Sequence, residues 1–435
     1  MGAFFSVAST KPEQREWNEI SPNETCKRQR MSPTIDEESP TLIPNLPDEL
    51  SLQIIARLPR ICYFNVRLVS KRWKSTIMSS ELYKLRKELG TTEEWLYLLI
   101  KVGENNLLWH ALDPHSKTWQ RVPNAFDEMP FCGCAIGAVD GCLYVLGGFS
   151  KTSTMRCVWR FDPIQNTWSK VTSMSRGRAY CKTGVLNNKL YVVGGVSQGQ
   201  AGLVPLQSAE VFDPSTDTWS HVPSMPFSGA PVLPSAFLAD MPKPVATGLS
   251  SYMGRLCVPQ SLFSWIFVNV GGQIYDPETN SWIEMPAGMG EGWPVRQAGT
   301  KLSVVVDGEL YAFDPSNSVD GGRIKVYDQG EDAWKVVIGK VPIYDSSDSE
   351  SPYLLVGFHG KLHVITKDAN HDIAVLQAGL RDNLDSSPSL STLSPSTSQE
   401  SPEVAAESEA ATVWRIVANR DFGQAELVSC QVIDI

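Results

Sequence analysis

The sequence predicts a multidomain chain: a small N-terminal helical unit followed by an all-β, six-bladed propeller. Three observations carry that prediction. An Asp is followed six positions later by a Trp five times, at Asp113/Trp119, Asp162/Trp168, Asp213/Trp219, Asp276/Trp282 and Asp328/Trp334. Successive Asp residues lie 49 residues apart (113 to 162), 51 (162 to 213) and 52 (276 to 328), the period of a four-stranded propeller blade. Second, the runs Gly141-Cys142-Leu143-Tyr144-Val145-Leu146 and Asn188-Lys189-Leu190-Tyr191-Val192-Val193 each end in a glycine pair. A Cβ there would crowd the backbone or forbid the turn. Third, apolar residues between Leu46 and Ile77 recur at three- and four-residue spacings, the period of a helix.

Residues 1–43 are polar and punctuated by Ser-Pro pairs, and we read them as a flexible tail. Lys27-Arg28-Gln29-Arg30 reads as a solvated basic patch or an import signal, and Gly2 with Ser6 matches the short pattern for N-myristoylation or marks an ordinary chain start. Residues 44–89 form the helical unit. Pro47 suits a first helical turn, Asp48 and Glu49 suit the positive end of the dipole, and Leu50, Ile54 and Leu58 recur every four residues before Pro59 stops the helix. A second helical face is expected through Val66, Val69, Trp73 and Ile77.

The propeller is expected over residues 95–435. Each Asp seeds a tight turn, usually with Pro beside it to preset φ, and each Trp opens the next strand. An aromatic precedes four of the turns: Phe161, Phe212, Tyr275 and Tyr327. Trp414 marks a sixth blade without its Asp. The first repeat, Trp95 to Val122, is one strand short, and Glu426 to Ile433 reads as one strand left over, so the last strand is expected to complete the first blade and remove an open sheet edge. Residues 380–411, rich in Ser, Pro and acids, read as a disordered insertion within the last blade.

Composition narrows the function. A net charge of -10 argues against a phosphate-backbone binder, which needs a surplus of Lys and Arg. Nine cysteines without a CxxC pair fit a reducing compartment, and no apolar run approaches a membrane span. We therefore expect a protein of the cytoplasm, the nucleus or both. No catalytic, metal or cofactor constellation is expected. His359 and His363 flank a strand, where a four-residue interval does not converge, and Cys132 and Cys134 read as small buried residues. Binding then falls to loops. Those following the second and fourth strands of each blade, residues 149–156, 196–208, 223–250 and 286–298, are expected at one mouth of the propeller. Arg156, Arg176, Arg178 and Arg296 lie in or beside them as candidates for holding an acidic or phosphorylated peptide. An alternative for Arg178 and Arg296 is that they satisfy carbonyls at strand starts.

Leu46-Pro47-Asp48-Glu49-Leu50, Ala56-Arg57-Leu58-Pro59 and Arg67-Leu68-Val69-Ser70-Lys71-Arg72-Trp73, in that order, resemble an F-box over residues 44–85; the stretch Ile61 to Asn65 departs from the usual Leu-centred middle. The glycine pairs, the aromatic before the turn and the spaced Trp resemble kelch repeats, with departures at Gly271-Gly272 and in the blade ending at Trp334, which lacks the pair. Together they resemble plant-type F-box/kelch-repeat proteins. That resemblance implies a non-catalytic substrate-recognition subunit of an SCF-type (Skp1, cullin, F-box) ubiquitin ligase. Leu46, Pro47, Leu50, Ile54, Leu58, Pro59, Val69 and Trp73 would bind the Skp1-like adaptor and, through it, cullin, while the propeller holds the target. The rival readings are a kelch scaffold without ubiquitin transfer and a propeller oxidase, which would need converging Tyr and His copper ligands.

Overall fold

The computed structural model describes residues 41–103, 106–124, 132–151, 153–200, 202–226, 244–262, 268–293, 303–314, 322–342, 353–368, 370–379 and 413–435. The expected tail, the Gly2 and Lys27–Arg30 motifs and the 380–411 insertion lie outside these residues. Four short helices come first: α1 (Asp48–Ala56), α2 (Arg60–Val66), α3 (Lys71–Ile77) and α4 (Ser80–Glu88). Their core is Leu42, Ile55, Ala56, Ile77 and Leu82, with Trp73 and Leu85 packed against it. The packed unit thus starts at or before Leu42, whose N–H donates to Asp48 Oδ1 at 2.8 Å.

Two helical expectations need correction. Pro59 does not stop α1, which ends at Ala56; it is the N-cap of α2. The single face through Val66, Val69, Trp73 and Ile77 is broken between α2 and α3. There the Ser70 hydroxyl accepts the Trp73 N–H at 3.1 Å and starts a new helix, which turns Leu68 and Val69 outward.

Strands build six blades in a ring. The first contains Glu94–Val102, Asn106–Leu112 and Trp119–Arg121, and its innermost strand is the C-terminal Glu426–Asp434, paired antiparallel with Glu94–Val102. The last strand therefore closes the ring, as the sequence predicts. The other inner strands, in chain order, are Ala135–Val139, Lys182–Leu186, Ser250–Tyr252, Ser303–Val306 and Tyr353–Phe358, each packed beside the next around the axis. Six apolar clusters fill the six gaps between blades among the described residues. In the fourth blade the inner edge is split between Pro244–Ala246 and Ser250–Tyr252, both paired to Arg255–Leu262.

The repeated motif explains its own geometry. In all five copies the Asp Oδ1 accepts a backbone N–H two residues on, from His115, Ile164, Ser215, Glu278 and Gly330, at 2.9 to 3.0 Å. The residue four after the Asp is left-handed each time: Lys117, Asn166, Asp217, Asn280 and Asp332, with φ between 47° and 56°. In the four copies with an aromatic before the Asp, the Trp then packs on it, with Phe161–Trp168 and Phe212–Trp219 centroids 5.1 Å apart. The glycine pair is required where it stands, since a Cβ on Gly147 (φ 60°) would sit 2.2 Å from the Arg178 carbonyl oxygen.

Candidate functional site: an outward helical face and the propeller mouth

The apolar stripe of α1 faces outward. Ser51, Ile55 and Ala56 are the residues that α1 buries, whereas Leu50 and Ile54 remain 48% and 46% exposed. In the same helical unit, between α2 and α3, Leu68 and Val69 are 78% and 64% exposed. Leu46, Leu58 and Pro59 are half-buried and Pro47 is exposed. Trp73 is half-buried. Its indole packs on the helical core and donates to the Leu42 carbonyl at 2.7 Å, so it holds the unit together. Leu68 is the member of the exposed set that spacing alone did not single out; its signal was position, one residue before Val69 in the interrupted stretch.

The helical unit is bolted to the propeller, and two arginines absent from the sequence reading do most of this. Arg86, on α4, is buried and donates through Nη1 to the carbonyls of Ala56 and Leu58 at 3.0 and 2.7 Å and to the Tyr63 hydroxyl at 2.9 Å. Through Nη2 it reaches Glu93 at 3.4 Å and the Ile435 carbonyl at 3.5 Å. Arg60, at the start of α2, lies 4.7 Å over the Trp95 ring and donates to the Pro163 carbonyl and the Tyr97 hydroxyl of the first two blades. The linker itself is stitched to the chain's last residue, Glu93 N–H to Ile435 O at 2.8 Å and the reverse at 2.9 Å. Tyr83 on α4 completes the contact by donating to the Asp434 carbonyl at 3.1 Å, and its ring stands against Gly141 in an inner hairpin turn.

These contacts place the helices at the end of the propeller where the inner hairpins turn. The long connections emerge at the other end. There residues 149–156 meet residues 196–208, the Gln198 N–H donating to the Thr154 hydroxyl at 3.2 Å, and Phe149 packs edge-on to Tyr180, in the connection that enters the third blade, at 5.7 Å. The second of these connections forms a hairpin of its own, Val196–Gly199 with Gly202–Pro205, which exposes Leu203 and Val204.

Among the arginines expected at the mouth, Arg156 and Arg176 are exposed, and neither bonds another described residue through its side chain. Arg178 is 1% exposed. It pairs with Glu210 and donates to the Ser208 carbonyl at 2.7 Å and the Gly194 carbonyl at 3.2 Å, which is the carbonyl-satisfying alternative. Burial pushes the Glu210 carboxyl up, but the Ser175 N–H and the Arg178 guanidinium outweigh it and hold that carboxyl below its usual range. Arg296 lies outside the described residues, and the connections 223–250 and 286–298 are described only in part. His359 sits exposed on an inner turn while His363 is buried in its sheet, so the two do not converge. No helix among the described residues is long and apolar enough to cross a membrane.

A four-helix F-box unit with an outward apolar face, clamped to a six-bladed kelch propeller, defines a class of binding proteins with two separate faces. The chain belongs to the F-box/kelch-repeat family: the F-box domain matches residues 43–85 and the FKB95 kelch-repeats domain matches residues 95–378. It is 59% identical to the F-box/kelch-repeat protein At1g22040 of Arabidopsis thaliana, with both chains covered in full. It is also 28% identical to F-box/kelch-repeat proteins At1g30090, over 62% of this chain and 64% of that one, and At1g16250, over 69% and 75%, both from Arabidopsis thaliana.

Proposed function

We propose that this protein is the substrate-recognition subunit of an SCF-type ubiquitin ligase, acting in the cytoplasm, the nucleus or both. The F-box face of Leu50, Ile54, Leu68 and Val69 binds a Skp1-like adaptor and through it cullin, and the propeller mouth holds the target. The observation that carries this reading is the exposure of those four side chains on a helical unit clamped at the end of the propeller opposite the long connections. Fully burying one such side chain contributes about 1.5–3 kcal/mol, and with each already partly covered the face offers on the order of 4 kcal/mol to a partner.

In this arrangement the chain performs no bond chemistry. It raises the local concentration of target lysines near a conjugating enzyme, an effective-concentration effect that depends on a defined geometry between the two faces. The Arg60, Arg86 and Glu93 contacts provide that geometry. Exposed Arg156 and Arg176 give the mouth a basic rim suited to an acidic or phosphorylated segment of the target.

Proximity labelling in plant cells tests the reading, comparing wild type with the full chain carrying Leu50→Glu and Val69→Glu. The variant is expected to lose the Skp1-like adaptor and cullin from the labelled set and to keep the remaining proteins, with at least some of them more abundant and carrying less ubiquitin. Identical abundance and ubiquitin conjugation of every labelled protein would contradict the proposal.

A further inference from the structure

The axis of the propeller holds a cavity of about 440 Å³, walled by the inner strands of the first five blades and open toward the long connections. That volume falls within the range of small-molecule sites, about 300–1,000 Å³. Its charged lining has an imbalance. Lys101 and Glu426 pair at 3.5 Å and cancel, whereas Lys182, half-buried at the head of the third blade's inner strand, has no ion pair or side-chain hydrogen bond to any described residue.

The surroundings of Lys182 leave its charge uncompensated. Burial pushes its ammonium down to about 8, so near neutral pH it remains largely protonated in a site that disfavours the charge. The nearby thiols offer no counter-ion, since burial pushes Cys134 up to about 12 and Cys181 up to about 11 and keeps both neutral. On the neighbouring inner strands that line the same cavity, the Ser250 and Ser303 hydroxyls lie 2.8 Å apart, and the Ser251 hydroxyl accepts the Val185 N–H at 3.2 Å, leaving its own proton to donate. Leu249, Val304 and Leu427 complete the wall with apolar surface.

From this we infer that the cavity is a binding site for a small organic acid, a monoanion with an apolar body, whose carboxylate is held by Lys182. One unpaired cation calls for one negative charge, and the apolar walls beyond it call for a hydrocarbon or aromatic body. A carboxylate here gains a charge-assisted hydrogen bond in surroundings that strengthen it. The site belongs to the propeller alone and does not depend on the adaptor reading.

Calorimetric titration of the full chain with 2-naphthoate, and with its uncharged counterpart 2-naphthamide, tests the inference. The acid is expected to bind at one site at least tenfold tighter than the amide. Lys182→Met is expected to erase that difference and Lys182→Arg to retain it, with all three proteins unfolding at the same temperature. Equal affinity for acid and amide in the wild type, no binding of the acid, or acid binding unchanged by Lys182→Met would each overturn it.

Discussion

At the scale of single residues, the repeated Trp does two jobs, and only one shows in its spacing. It stacks on the aromatic of its own blade, and its indole N–H also reaches back to the chain leaving the previous blade: Trp168 to Pro123 O at 3.0 Å, Trp219 to Thr172 O at 2.8 Å, Trp282 to Pro223 O at 2.7 Å and Trp334 to Met289 O at 2.9 Å. Trp119 is the exception, its buried Nε1 having no partner among the described residues. Trp168→Phe is therefore expected to cost about 1 kcal/mol more in urea unfolding than Trp119→Phe, the net worth of one hydrogen bond; equal costs would remove the stapling role. Two buried histidines give a second expectation. Burial pushes His110 down to about 4, helped by the charges of Arg420 and Arg121, and burial likewise pushes His363 down to about 4. The unfolded chain then binds more protons than the folded one between pH 6.5 and 4, so stability is complete above pH 6.5 and falls as the pH drops through that window. Urea midpoints between pH 7 and 4.5 check this: the decline is expected to flatten in a chain carrying His110→Gln and His363→Gln, and a wild-type midpoint that holds constant would refute it.

At the scale of elements, the strands were legible because their turn chemistry is local. An Asp that caps its own turn, a left-handed residue four positions on and a glycine pair that admits a neighbouring carbonyl all leave fixed marks in the sequence. The helices were harder to read. A stripe of Leu50, Ile54 and Leu58 reads the same whether it covers the unit's own core or awaits a partner, and the core in fact uses Ile55 and Ala56, one register away. The clamp was illegible for a different reason, because Arg86 joins Ala56, Glu93 and Ile435 across sequence separations of 30, 7 and 349 residues. Arg86→Met leaves the Leu58 carbonyl without its donor and takes the buried cation away from Glu93, at a cost of about 3 kcal/mol or more. Hydrogen exchange over residues 41–90 is expected to quicken while the second to fifth blades stay protected; unchanged exchange would show the clamp to be incidental. Removing residues 424–435 takes away the first blade's inner strand and opens two apolar clusters. The product is expected to be insoluble or readily cleaved by protease, and thermal unfolding like that of the full chain would contradict the closure.

At the scale of the whole molecule, the division into a small helical unit and a large ring is more than the sum of two domains joined by a tether. The linker pairs with the last residue of the chain, and Arg60 spans from α2 to the Pro163 turn of the second blade, so the ring's closure and the seating of the F-box share the same residues. Repeat length and the count of strands at the two ends of the propeller were enough to anticipate the ring and its closing strand. They could not supply the orientation of the helical unit on the ring, which rests on contacts of high sequence separation, nor separate Arg178, spent on Glu210 and two carbonyls, from the exposed Arg156 and Arg176. The role as a ligase subunit depends on the outward helical face being a docking surface. The most direct measurement is the affinity of the purified full chain for a purified Skp1-like adaptor, wild type against Leu50→Glu/Val69→Glu. The wild type is expected to bind with a Kd below about 1 μM, equivalent to roughly -8 kcal/mol, and the variant at least a hundredfold more weakly with an unchanged melting temperature. Equal affinity in the two proteins, or no binding by the wild type, would contradict the account.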